Sequence, residues 1–184
     1  MSITQFNATY VAEEDRVLFR FNTSQSQEYR LWFTRSVVRS ILALGAQASV
    51  AVLAREHPPE QAKAIAEFKQ QAKVEQAQFT TFVPATNFPL GAEPILIQQA
   101  RIKLMDKATA LELVMPKGQL LTMNLTEDMI AQLRLLLQTI AQRAQWGLDA
   151  PPAPTPPVSP LKLLATPPDA VADVPIDEVP PATP

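Results

Sequence analysis

The chain has no cysteine, one histidine and four glycines among its 184 residues. Each scarcity closes a class of chemistry. Without cysteine there is no disulfide, no thiolate nucleophile and no cysteine-ligated metal. The single histidine, His57, stands beside Pro58 at a helix boundary and leaves no second imidazole to complete a metal site. Four glycines build neither a phosphate-cradling loop nor a nucleophile elbow, and Ser36, Ser40 and Ser49 fall on a helix with no base nearby. The expectation is a non-enzymatic protein with no metal and no small-molecule cofactor. Charge of one sign is lacking too, since the formal net charge is −2. Residues 149–184 carry five acidic residues against Lys162 alone, a net of −4, which leaves residues 1–148 at +2. A body so mildly basic is not built around obligatory polyanion binding, where Lys and Arg contacts dominate affinity.

Long apolar runs are scarce as well. The most apolar stretch, residues 40–54, is 15 positions long, contains Gln47 and follows Arg39, whereas a bilayer span needs about 20 apolar residues. A buried helix is expected there, and no membrane partner. The amino terminus shows no basic region followed by an apolar run, so a cytoplasmic location is expected. Glu13-Glu14-Asp15 reads as a solvated hairpin tip rather than a cation site.

What is present is one pattern told twice. Residues 5–50 and 97–142 align without a gap at a constant offset of 92. Phe19, Phe21, Tyr29, Leu31 and Phe33 fall on Leu111, Leu113, Leu121, Met123 and Leu125. Alternation at Phe6, Ala8 and Tyr10, at Val17, Phe19 and Phe21, and at Tyr29, Leu31 and Phe33 predicts a three-strand meander. Thr34 then caps a helix whose stripe is Val37, Val38, Ile41, Leu44 and Ala48. The second half starts near Ile95 and turns at Asp106-Lys107 and again at Pro116-Lys117-Gly118. Thr126, with Glu127 and Asp128, opens its helix, whose stripe is Met129, Ile130, Leu133, Leu136, Leu137 and Ile140, and Gly147 stops it.

Between the halves, Pro58 and Pro59 begin a polar helix over about residues 58–77. Its stripe of Ala62, Ile65, Ala66 and Phe68 is thin, so the helix is expected on the surface or partly extended into solvent, and residues 79–83 suit a short extra strand. The predicted fold is α+β: two strand-strand-strand-helix units packed pseudo-symmetrically in a body of residues 1–148, with copy one at 5–50 and copy two at 95–146. From Ala150 onward lie twelve of the eighteen prolines and no aromatic. Such a segment, residues 149–184, cannot build a core and is expected to be an extended, disordered tail. Two apolar islands interrupt it, Leu161-Lys162-Leu163-Leu164 and residues 174–179, spaced like linear motifs.

In outline, tandem meander-plus-helix units over residues 5–142 are similar to the PUR-repeat and Whirly folds, whose units carry four strands each. That resemblance implies binding of single-stranded nucleic acid. The residues themselves offer a place for it, because the copies share their inward faces but not their outward ones. By parity Arg16, Leu18 and Arg20 point away from the core, joined by Arg30 and Trp32. Their counterparts are Ala108, Ala110, Glu112, Thr122 and Asn124. A register that faces Phe21 with Tyr29 sets Arg20 opposite Arg30, which is unfavourable unless a carboxylate such as Glu28 or Glu112, or an external anion, lies between them. Arg35 and Arg39 extend the patch along the first helix. The leading expectation is a face that binds a protein partner or a second copy, since Arg and Trp dominate such contacts, with Leu161–Leu164 as a tethered motif. The alternative is single-stranded nucleic acid held by the same Arg and Trp side chains, and the third reading is an enzyme whose site is assembled from residues too ordinary to flag. The plainest reading makes the face an internal interface, with Trp32 under the linking helix.

Overall fold

The computed structural model describes residues 2–75, 81–105 and 108–148, the side chains of 73–75 excepted. The tail and its motif at Leu161–Leu164 lie outside the described residues. Within them the chain is α+β, with a four-stranded and a three-stranded sheet.

The first sheet begins as the meander that alternation predicts: β1 (Ile3–Val11), β2 (Arg16–Thr23) and β3 (Glu28–Thr34), followed by helix α1 (Arg35–Leu53). After helix α2 (Pro59–Glu75) comes β4 (Ile95–Leu96), and then β5 (Gln99–Leu104), β6 (Thr109–Val114), β7 (Leu120–Leu125) and helix α3 (Glu127–Arg143). The sheet orders are β1-β2-β3-β4 and β5-β6-β7. Residues near Ile95 do not open the second meander as expected. They pair in parallel with Leu31 and Trp32 at the edge of the first sheet, and the chain then crosses to the second. Two apolar residues suit either sheet, so the alternation carries no sign of the partner.

The strand pairs keep the 92-residue relation where the core is densest. Phe19 faces Leu31 and Phe21 faces Tyr29, as Leu111 faces Met123 and Leu113 faces Leu121. The first strands depart from it. Ala8 pairs with Phe19, but Ala100 pairs with Leu113 rather than Leu111, so β5 sits at an offset of 94, two more than 92. The second hairpin turn is shorter by those two residues. A slip of two preserves which face each side chain occupies, so the alternation hides it. Both helices begin the same way, with Thr34 Oγ1 accepting from the Val37 amide and Thr126 Oγ1 from Met129, each at 3.3 Å.

One apolar cluster unites the units, including Phe19, Phe21, Leu31, Phe33 and Ile41 with Leu111, Leu113, Met123, Leu125 and Leu133. Each such side chain contributes about 1.5–3 kcal/mol on burial. α1 packs on β5 as well as β3, and α3 packs on β1 as well as β7, so each helix ties the two sheets together. Gly45, not Leu44, lies on the buried stripe of α1. A Cβ there would come within 2.9 Å of Arg134 Cδ, so the helix crossing uses the missing side chain. α1 has 19 residues with a mean hydropathy of 1.6, enough by length and composition for a bilayer. That corrects the expected 15, because Arg35 to Arg39 are helical too. Its contacts with β3, β5, α2 and α3 use the apolar stripe inside the fold. α2 packs on α1 and α3 through Ala62, Ala66 and Ile65, against Val50 and Leu53. Phe68 is off that stripe and 73% exposed, since helical spacing from Ala62 and Ala66 puts position 69, not 68, on the same face.

Candidate interaction surface

The outer face of the first sheet collects the outward residues named above. β2 and β3 set Arg20 directly opposite Arg30, and Leu18 opposite Trp32. Two arginines side by side need counter-charge or shielding, and the protein supplies both. Glu28, fully buried, accepts from Arg30 Nε at 2.7 Å. Arg20 Nη2 donates to Asn7 Oδ1 at 2.8 Å on the neighbouring strand. Arg20 also lies over the Phe82 ring at 4.5 Å, and Arg30 over the Phe88 ring at 4.4 Å, in cation–π contact.

Those rings belong to an irregular strap, residues 81–92, drawn across the outer face. Asn22 Nδ2 donates to the Val83 carbonyl at 2.6 Å, and the Ala85 amide donates to Glu28 Oε2 at 3.0 Å. The Glu28 amide donates to the Asn87 carbonyl at 2.8 Å, and Arg30 Nη1 to that of Ala92 at 3.2 Å. Gln5 reaches the strap through the Thr81 carbonyl and the Val83 amide. Residues 81–83 form no strand, and 79–80 lie outside the described residues. Pro84, Pro89 and Pro94 explain the irregular path, because proline cannot donate to a ladder.

The strap covers two rows of the face, those of Asn22 and Glu28 and of Asn7, Arg20 and Arg30. The next row stays half open. Leu18, Trp32 and Leu96 stand side by side on β2, β3 and β4. Leu18 and Trp32 are half-buried and Leu96 is 36% exposed. α2 packs on α1 and α3, not on this row, so Trp32 is not beneath the linking helix. Arg16 pairs loosely with Glu14 at 3.4 Å. Arg35 and Arg39 are exposed on α1, away from the strap.

The acidic hairpin tip has a use that alternation did not reveal. Asp15, in left-handed backbone at φ 45°, accepts from Trp146 Nε1 at 2.8 Å and from the Tyr10 hydroxyl at 2.9 Å. Trp146, past the end of α3, also meets the Tyr10 ring edge-on. The hydrogen bonds from Trp146 and then Tyr10, with the nearby Arg35 charge, hold the Asp15 carboxyl below its ordinary value. The same bond raises the Tyr10 hydroxyl. A cleft of about 140 Å³ opens between α1, the turn after β5 and the start of α3, lined by Ser49, Arg55, Thr109 and Glu127 among others. That is well below the roughly 300 Å³ at which small-molecule sites begin.

Glu28, one of the two carboxylates expected beside the paired arginines, takes that place on Arg30, whereas Asn7, Phe82 and Phe88 were not among the predicted surface residues. Their signal was indirect: two unshielded arginines on one sheet face and two phenylalanines six residues apart in a proline-spaced segment. No family model matches the chain, and no curated protein and no solved structure matches it. The outline likeness to PUR-repeat and Whirly folds gains nothing from these comparisons.

Proposed function

We propose that the chain is a non-enzymatic interaction protein of the cytoplasm, a duplicated strand-strand-strand-helix unit with pseudo-symmetric packing, whose proline-rich tail of residues 149–184 serves as a tether bearing the Leu161–Leu164 motif. The shared registers of β2–β3 and β6–β7, the matched threonine caps and the reciprocal helix packing support the duplication. One observation carries the function: the half-open row of Leu18, Trp32 and Leu96, with the arginines beside it already held. Aromatic and aliphatic groups bordered by fixed guanidinium groups make the core and rim of a protein contact. For single-stranded nucleic acid, a phosphate would have to displace Glu28 from Arg30, Asn7 and Phe82 from Arg20, and Glu14 from Arg16, so that of the predicted arginines Arg35 and Arg39 are the more open to it.

The test compares what tagged wild type, Trp32→Ala and Leu96→Ala retain, by mass spectrometry, with thermal melts as the folding control. Loss of the same partner in both variants, at unchanged melting temperature, is the expected result. Salt-sensitive binding of a single-stranded oligonucleotide that falls on Arg35→Ala or Arg39→Ala would replace this reading with the nucleic-acid one.

A further inference from the structure

A sheet edge presents a row of unpaired backbone donors and acceptors, and proteins usually blunt such edges with charge, proline or a covering element. The edge strands here are β1, β4, β5 and β7. β5 has the usual protection in Arg101 and Lys103, and β4 is only two residues long. β1 and β7 hold no charged residue. β1 is touched by the strap at Gln5. β7 makes no backbone bond to any element beyond β6 among the described residues, and Leu120, Thr122 and Asn124 on its outer face are exposed.

We propose that β7 pairs with β7 of a second copy of this chain, antiparallel about a two-fold axis at Thr122. Three features select that occupant. The residue on the two-fold axis meets its own copy, where a charge would face a like charge, and Thr122 is neutral. The ends of the strand have opposite sign, with exposed Lys117 in the turn before it and Glu127 and Asp128 in the first turn of α3 after it. Antiparallel pairing sets each basic end beside an acidic one, twice by symmetry, whereas parallel pairing would set like beside like. Glu127 also holds Lys69 at 2.9 Å, so it gains a second cation rather than its first. Third, Thr122 facing Thr122 is a favourable cross-strand pair, and the inner row Leu121–Met123 continues from one copy to the next. The closure is isologous, so it ends at two copies and not at a filament.

β1 differs from β7 in its cover, since Gln5 already bonds the Thr81 carbonyl and the Val83 amide of the strap. A ladder over residues 120–124 buries less than the roughly 1,200 Å² of a stable interface, so the dimer is weak and concentration-dependent. The inference deepens the interaction reading, on which it rests, by naming one partner. It uses a different surface, so the two fail separately.

Light scattering and sedimentation of the full chain over a range of concentrations provide the test. Wild type and Trp32→Ala both dimerise. Thr122→Lys and Thr122→Glu each weaken self-association by about tenfold or more, because like charges then face each other. An equimolar mixture of the two variants recovers the dimer, which only self-pairing at this position explains. Melts check that both variants fold, and position 122 is exposed in the monomer. A monomeric wild type, or a dimer unchanged by both charges, overturns the proposal. If Trp32→Ala alone abolishes the dimer, the self-contact belongs to the Trp32 row and the β7 assignment is wrong.

Discussion

The two sheets present matched inner faces and opposite outer ones. Positions 92 apart are equivalent in β2–β3 and β6–β7, yet Arg20 corresponds to Glu112, Glu28 to Leu120, Arg30 to Thr122 and Trp32 to Asn124. In the first sheet a carboxylate is fully buried at the position where the second leaves a leucine 53% exposed. The difference follows from cover. The strap crosses the first sheet and supplies rings, carbonyls and amides to its polar groups, whereas no such segment crosses the second among the described residues. Inner faces answer to packing density, which tolerates Phe-for-Leu exchange at a kept pattern. Outer faces answer to whatever lies on them.

The largest effects should be those that the two sheets share. Phe19→Ala should cost about 3–5 kcal/mol and Leu111→Ala about 2–5 kcal/mol, because each leaves a cavity in the common cluster. Chemical denaturation measures both. A single cooperative transition in each variant would bind the units into one folding body, and two separated transitions would break the comparison by making them independent.

Next comes the pair that the strap distinguishes. Glu28→Ala removes the partner of Arg30 and the acceptor of the Ala85 amide together. Breaking such a buried pair costs about 3 kcal/mol. The equivalent Leu120→Ala, at an exposed position, should stay within about 0.5 kcal/mol. Hydrogen exchange of the Ala85 and Arg30 amides would show the strap loosening in the first variant only. Equal losses in the two would mean that the strap contributes nothing to the difference between the sheets.

Alternation and spacing were enough to read the meanders, both threonine caps and the inner parity, because each depends on neighbours within a turn or two of chain. The sequence was silent where the partner is remote. Nothing local tells Ile95 that it will join Leu31, and nothing in Glu28 announces Ala85, 57 residues away. The two-residue slip of β5 escaped because it conserves parity. For the surface, the positions of Arg16, Arg20, Arg30 and Trp32 were legible. Of the partners that occupy two of those arginines, Glu28 was legible from the like-charge pair, whereas the rings of Phe82 and Phe88 were not, since they come from an irregular segment with no period to read.

A smaller effect concerns Asp15, which ties its turn to the end of α3, whereas in the turn after β5 it is Arg55, just past α1, that donates to the Met105 carbonyl. Folding lowers its carboxyl below the ordinary 3.8 through the bonds from Trp146 and Tyr10. The unfolded chain therefore binds that proton more readily, so the stabilisation is complete above the ordinary value and is lost as pH falls through the lower folded value. Asp15→Ala should lower the melting temperature at neutral pH, shift Trp146 fluorescence, and flatten the acid end of the stability profile relative to wild type. An unchanged profile below pH 3.8 would show that the hairpin tip and the end of α3 are not coupled in this way.

The smallest effect tests how α3 ends. Gly147 was the expected stop, but the helix closes two residues earlier, on a pair of bonds from the Trp146 amide to the Ala141 carbonyl and from the Gln145 amide to that of Gln142, each at 3.0 Å. That is a Schellman closure, and it places Gln145 in left-handed backbone at φ 55°. A side chain there costs about 1 kcal/mol that glycine avoids, while the extra freedom of glycine in the unfolded chain returns part of the gain. Gln145→Gly should therefore stabilise the protein by about 0.5 kcal/mol. Gly147, at φ 59° with open space around its missing side chain, provides the control of opposite sign. Gly147→Ala should destabilise by about 1 kcal/mol through backbone strain alone. The placement of Trp146 on Asp15 depends on this closure, so a destabilising Gln145→Gly would mean that the glutamine side chain itself holds the end of the helix.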